Sequence, residues 1–515
     1  MARYKPYSYE QAKLIPLSFS QQIQQGSFEY ALSYIVDVWM DLSVFEQRYA
    51  NDETGAPAFD PAVLLKIILY AYSRGITHSR QIARACEENV IFMALSADTR
   101  PHFTTIAKFI SEMKDQIVPI FRDILTLCYS EGLIGKTMFA VDGCKLSSNC
   151  SKEWSGTRAQ LEKKARKIEE SIRFLLEKHG SMDKKDCDAE QVDKEKHAAE
   201  NLKKRLNKIR GWLQENPTDK KGARKRSLKQ SNVIDNESAK MPTSHGVVQG
   251  YTGVATVDSK NQVVVYAEAF GENQEKCLLK PAVEGVRENF SKTDICMDAF
   301  KGATLLADTG YHSDNNIEML MDEGIDALIA DTQFRKRDPR FAASDRFRKP
   351  VDKHKNRYDR KRFHAVDFQR DKKRNCLICP AGKELHLLHA WYRNTSGLIG
   401  PMYQARMDDC HGCAYKKKCL TGQSARRVTL FNRRDPNFKE SFTQQMIKKF
   451  DSKRGRFLYS RRMGIVEPVF GNIRNSIGLK RFTLRGKIKV DIQWKLFCIV
   501  HNLQKVFRYS TVFAQ

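Results

Sequence analysis

Three carboxylates stand in settings suited to metal chemistry. Asp142 follows the short apolar run Thr137-Met138-Phe139-Ala140-Val141, and Asp308 follows a second such run, Ala303 to Ala307. Glu467 lies within Arg461 to Ile477, which reads as a helix. Carboxylates drawn together from distant parts of a chain make a hard oxygen site, which suits Mg²⁺ or Mn²⁺. Two such ions can activate an attacking oxygen and stabilise a leaving one in phosphodiester transfer.

A second set of residues has a different chemistry. Cys376-x2-Cys379 and Cys410-x2-Cys413 can supply four thiolates to one tetrahedral Zn²⁺, a structural site with no open position. Cys419 makes five thiols for four places, and His386, His389 and His411 lie nearby, so the fourth ligand stays open. The other eight of the 13 cysteines are scattered singly, as suits a reducing compartment.

The elements that must position the carboxylates can be read from periodicity. Both apolar runs read as buried strands, with Asp142 and Asp308 at their ends. Ala303 to Ala307 is followed by a helix from about Asp314 to Glu323 and a strand Asp326 to Ala330. Gly246 to Phe270 alternates as two strands about a turn at Asp258-Ser259-Lys260-Asn261, and Glu275 to Phe290 reads as a helix. Together these predict a mixed α/β sheet. Asp258 belongs to a turn, and Asp298 precedes the strand and lies at its wrong end, which leaves Asp308 as the second carboxylate.

Around this core the chain is helical. Ile106, Ile110, Met113, Ile117, Phe121 and Ile124 follow a cap at Thr104, and the run ends at Gly132. Val63 to Tyr72 and Thr77 to Asn89, separated by Gly75, have the order of a helix-turn-helix unit. Between Thr157 and Pro217, Leu161, Ala165, Ile168, Ile172 and Leu175, then Ala199, Leu202, Leu206, Ile209 and Leu213, predict an antiparallel helical hairpin. Ile492 to Phe507 is a final apolar helix. At 515 residues there is room for about three domains.

Charge points to a polyanion. The 88 Lys and Arg outnumber 61 Asp and Glu, a formal net charge of +27. From Arg335 to Arg374 there are 17 basic residues against six Asp, interleaved with Phe334, Phe341, Phe347, Tyr358, Phe363 and Phe368, a pattern that can track phosphates and stack on bases. Met1 to Tyr9 lacks a signal-peptide layout and no apolar run approaches ~18 residues, so a cytoplasmic protein is expected.

The segments Phe139 to Gly143, Leu306 to Ser313 and Arg462 to Gly471 closely resemble the three catalytic segments of DDE transposases from bacterial insertion sequences. The resemblance extends to the helical N-terminal region, Asn149 to Gln160, the Cys-rich insertion and the basic tail from Arg474 to Lys489. It implies a ribonuclease H-like core with Asp142 on the first strand, Asp308 after the fourth and Glu467 on a later helix, all three catalytic and holding two Mg²⁺ or Mn²⁺ ions. Related enzymes carry Tyr-x2-Arg-x3-Glu-x6-Lys. Here Tyr459, Arg462, Glu467 and Arg474 stand in similar places, with one extra residue between Arg and Glu, and Arg for Lys.

On this reading residues 1–132 form a helical N-terminal DNA-binding domain and 133–330 the first part of the catalytic core, with the hairpin insertion at 157–217. Residues 331–455 form the basic, zinc-binding insertion and 456–515 the last part of the core. Arg462, Arg474, Lys480, Arg481 and Arg485 are the expected DNA contacts. The implied reaction is metal-dependent cleavage at the ends of a transposon and strand transfer into target DNA. Its partners are double-stranded DNA, in terminal inverted repeats and target, and further copies of the chain assembled on it, at the nucleoid and not at a membrane. A ribonuclease H-like nuclease that only cuts, and a catalytically silent, transposase-derived regulator, are the alternatives. A serine or tyrosine recombinase would need an activated hydroxyl for which the sequence gives no comparable support.

Overall fold

The computed structural model describes residues 18–49, 57–181, 189–218, 230–243, 246–341, 363–394, 397–420, 422–437 and 440–513. Most of the basic, aromatic-interleaved stretch expected to track phosphates, residues 342–362, lies outside them. The chain divides into two units. One comprises Met1–His312, Asp322–Ile329 and Phe457–Gln515, and the other Ser313–Met321 and Ala330–Arg456.

The first unit is built on a mixed sheet. Its strands are β1 (Met138–Ser147), β2 (Ala239–Thr243), β3 (Gly246–Asp258), β4 (Val264–Phe270), β5 (Thr304–Ala307) and β6 (Asp326–Ile329). The order is β4–β3–β1–β5–β6, with β2 sharing the outer edge of β3 with β4. β1 runs antiparallel to β3 and parallel to β5, and β5 runs parallel to β6. Phe139, Ala140 and Val141 are fully buried in its centre, and the Phe139 ring meets Phe290 and Phe300 edge-on.

β1 corrects one expectation. The apolar run was expected to stop at Asp142, whereas the strand continues to Ser147. Pairing explains the difference. The parallel partner β5 ends at Ala307, opposite Val141, but the antiparallel partner β3 carries the register on from Asp142↔Ala255 to Ser147↔Gly250.

Helices cover this sheet. Lys487–Tyr509 is buried along most of its length, and its side chains bond strand backbone directly. Trp494 Nε1 donates to the Val254 carbonyl at 2.9 Å, and Asn502 pairs with both backbone groups of Val264 at 2.8 Å. Pro61–Ser73 starts with Pro61 behind an Asp60 cap and buries a nearly continuous apolar run, as helix-capping rules anticipate. The helix expected to run unbroken from Thr104 to Gly132 is two, Phe103–Ser111 and Ile117–Ser130, and the first is capped by His102. Its end tightens where Met113 N donates to Ile110 O, and the helical bonds resume at Ile117. Arg158–Ser181 and Ala189–Glu215 form the expected hairpin, closed by Leu161, Ala165, Ile172, Leu206, Ile209 and Trp212.

The second unit holds an antiparallel sheet whose central strands are Glu384–Arg393 and Leu398–Ala405. Its core is small and centres on Phe368, Leu377, Leu385, Tyr403 and Val428. Among the described residues no helix is long and apolar enough to cross a membrane.

Gly250 shows how closely β1 and β3 approach. A Cβ there would run into the backbone carbonyl of Leu146, which cannot swing aside. Gly250→Ala is expected to cost about 3 kcal/mol or more, read as a lower urea midpoint; an unchanged midpoint would contradict the register.

Candidate active site

Asp142 and Asp308 are brought together by the end of one parallel pairing. Val141 and Ala307 are the last partners of β1 and β5, and the two aspartates are the residues that follow them. Both are half-buried. Asp142 Oδ1 accepts from its neighbour Gly143 N at 2.9 Å. Asp308 caps the short turn Thr309–Tyr311, with Oδ1 accepting from Gly310 N at 2.8 Å.

The other two aspartates are placed elsewhere. Asp258 is buried at the far end of β3, opposite Phe139, and its carboxylate accepts from the amides of Gly135, Lys136 and Lys260. Asp298 accepts from Phe300 N ahead of β5.

The third element is the helix Lys453–Gly471. Ile465, Val466, Val469 and Phe470 face inward, and Phe470 stacks on Trp494 with ring centroids 6.2 Å apart. Glu467 is therefore on the outer face, exposed. It lines a cleft of about 960 Å³ together with Asp142, Lys145, Arg474 and Lys480. One turn back on the same helix, Arg462 reaches Asp142, with Nη1 to Oδ2 at 3.0 Å.

Electrostatics follow from this crowding. Burial pushes the Asp142 carboxyl above its ordinary range; Arg462 pulls it back, and the charge on Asp308 pushes it up again. Burial works against the Arg462 cation, but Asp142 and Tyr459 beside it outweigh that and the net shift is upward. The Arg462 guanidinium lies 6.0 Å from the Tyr459 ring centre.

Two participants were not expected from sequence. Glu275 pairs with Lys145 at 3.2 Å, and its carboxyl is raised by burial, with Asp308 and Asp142 adding to the shift. A Cβ on Gly310 would collide with the Glu275 carboxylate, so glycine lets that acid reach the Asp308 turn. Tyr311 is fully buried among the same charges, which together with burial hold its hydroxyl well above its usual range. Tyr311 stood inside the resembling segment, but nothing in sequence pointed to Glu275.

The expected DNA contacts divide. Arg474 and Lys480 are exposed on the cleft, whereas Arg481 and Arg485 bond the side chain and the backbone carbonyl of Asn149 at 2.7 and 2.8 Å. In the second unit Cys379, Cys410, Cys413 and Cys419 line one small cavity, which Cys376 does not join. Among the described residues no three His, Cys, Asp or Glu side chains converge closely enough to hold a metal ion as they stand.

Two family models match the chain. One, described as a transposase DDE domain, matches residues 378–507; the other, a transposase domain (DUF772), matches residues 17–112. The first takes in Arg462, Glu467 and Arg474. No curated protein matches the chain.

The Arg462–Asp142 pair can be tested without DNA or metal. Removing the cation leaves an uncompensated half-buried carboxylate, so Arg462→Ala should lose about 3 kcal/mol at pH 7. Without Arg462 the folded-state pKa of Asp142 rises further above its unfolded value, so the folded form binds a proton the unfolded chain does not. The variant then regains stability as pH falls through that pKa. Urea midpoints in chelator at pH 7 and pH 5 should show a smaller gap from the parent at pH 5; an equal gap would contradict the coupling.

Proposed function

We propose, from the premise that this chain is a transposase of the DDE, insertion-sequence type, that Asp142, Asp308 and Glu467 form its catalytic set for cutting and joining DNA. The observation that carries this reading is the shared strand end, where Val141↔Ala307 pairing stops and two carboxylates follow side by side. The strand order supports a ribonuclease H-like core: β1, β3 and β4 antiparallel, then β5 and β6 parallel to β1.

The donor chemistry fits a hard divalent ion, Mg²⁺ or Mn²⁺, since every candidate ligand is a carboxylate oxygen and the Asp142 and Asp308 charges repel. Asp142, Asp308 and Glu467 would hold it. When bound, a pair of such ions activates the attacking oxygen and stabilises the leaving one. The chain's own residues supply the rest. Arg462 neutralises Asp142 and fixes its direction. Arg474 and Lys480 offer positive charge to phosphates in the same cleft, and Lys145 neutralises Glu275. Cleavage by water at a transposon end leaves a 3′-hydroxyl, and attack by that hydroxyl on a target phosphate exchanges one phosphodiester for another.

Partners follow from this chemistry: double-stranded DNA at the terminal repeats and the target, with the N-terminal helices and the basic stretch adding contacts, and further copies of the chain assembled on the DNA. Zinc belongs to the Cys-rich part of the chain, and a bacterial cytoplasmic enzyme that joins the nucleoid when bound fits the whole.

Asp142→Asn, Asp308→Asn and Glu467→Gln are each expected to abolish end cleavage and strand transfer while DNA binding survives. A gel assay with pre-cut ends separates the two steps and tells a transposase from a nuclease that only cuts. Normal joining by Asp308→Asn, with loss in Asp298→Asn, would move the site.

Binding should also weaken steeply with salt, linearly on log axes, because each neutralised phosphate releases counterions. An affinity that barely changes between low and physiological salt would remove the basic cleft from the reading.

A further inference from the structure

We propose that Cys379, Cys410, Cys413 and Cys419 bind one structural Zn²⁺, and that Cys376, although half of a CxxC pair, is not a ligand. The site is independent of the chemistry proposed for the carboxylates, so its failure would leave that reading standing.

The four thiols reach one cavity from two sides. Its volume is about 30 Å³, room for a single ion, and Leu385, Ala405 and Leu420 form apolar parts of its wall. From one side comes the turn Cys379 to Lys383, where Gly382 takes a positive φ of 76° and the Cys379 amide donates to Lys383 O at 2.8 Å. That turn aims the Lys383 amide at Cys379 Sγ, 3.3 Å away. A backbone N–H on sulfur favours the thiolate and fixes its direction, as outer partners of metal ligands do.

From the other side come three thiols, two on short helical pieces and Cys413 between them. Cys410 ends its approach in Met407–His411, Cys413 follows Gly412, and Lys416–Cys419 turns the chain back. Lys416 N donates to Cys413 O at 3.0 Å and Cys419 N to Tyr415 O at 2.9 Å, so the backbone presents Cys413 and Cys419 to the same space. Arg426 Nη1 braces the Cys419 carbonyl at 3.0 Å. Lys383, Asp409, Lys416 and Arg426 also line the cavity, with Lys383 paired to Asp409 at 3.7 Å, and the positive charge that remains favours thiolates.

Cys376 is held away by the sheet. It is a buried strand residue paired with Asp371 on one side and His386 on the other, and it does not line the cavity. The candidate histidines do not line it either. The four cysteines line the cavity, no three of them stand close enough to hold a metal as they are, and a zinc ion with sulfurs at ~2.3 Å would draw them together. The surrounding core is small, which is where a metal contributes most to folding.

The test uses the full chain purified without chelator. Metal analysis should find one zinc per chain in the parent and in Cys376→Ser, with zinc lost or bound at least tenfold more weakly in Cys379→Ser and Cys419→Ser. Replacing the zinc with Co²⁺ should give the tetrahedral, four-thiolate absorption in the parent and in Cys376→Ser alike. If the serine variants do not fold, Cys419→His, which can still bind metal, should keep the ion and lose part of the sulfur-to-cobalt absorption. Zinc retained by Cys419→Ser but lost by Cys376→Ser would overturn the ligand set. A folded parent that contains no zinc and binds no Co²⁺, including one whose thiols are paired as disulfides, would overturn the site.

Discussion

Two like charges held side by side are the constraint around which the first unit is arranged. Asp142 and Asp308 follow directly on the last pair of β1 and β5, both half-buried, and the charge on Asp308 makes ionisation of Asp142 harder. Repulsion between unit charges at contact range is on the order of 4 kcal/mol under the screening usual near a protein surface. Relief comes from several directions at once. Arg462 lies against Asp142, the amides of Gly143 and Gly310 point at one oxygen of each aspartate, and Lys145 neutralises the third acid, Glu275. These partners come from strand, turn and helix, so the carboxylate pair ties the parts of the unit together.

Support for Arg462 can be followed inward. Its helix buries Val466 and Val469, and Phe470 stacks on Trp494 of the last helix. Trp494 in turn donates to Val254 of β3, the strand paired with β1 beside Asp142. Gly253 leaves room for that ring, since a Cβ there would stand 3.0 Å from it. The guanidinium and the carboxylate it serves are therefore fixed to opposite ends of one continuous packed path.

Much of this was legible in the residues. The short apolar runs read as strands, the hairpin's spacing fell on its buried face, and Asp258 read as a turn residue because its neighbours are turn formers. What was not legible depended on pairing across long separations. Nothing local in Gly143-Cys144-Lys145 says that β1 continues, because the strand that extends it lies more than a hundred residues on. Glu275 is an ordinary acid until Gly310 gives it room beside Asp308. The two CxxC pairs look equivalent on paper, yet strand pairing holds Cys376 apart while two short helical turns bring Cys419 in. The helix expected between Thr104 and Gly132 broke where no glycine or proline marked it.

The order in which the ribosome delivers these parts has its own consequence. β1 emerges early, its partner β5 more than a hundred and fifty residues later, and the helix that closes over β3 and β4 comes at the end of the sequence. Until that helix arrives, the backbone groups of Val254 and Val264 lack their Trp494 and Asn502 partners, and Asp142 has no guanidinium until shortly before it. A growing chain therefore carries an incomplete set of charges and an open apolar face through most of its synthesis. Completion of the carboxylate site is withheld from nascent chains by topology alone, and the same interval is when the sheet is most open to pairing with the wrong partner.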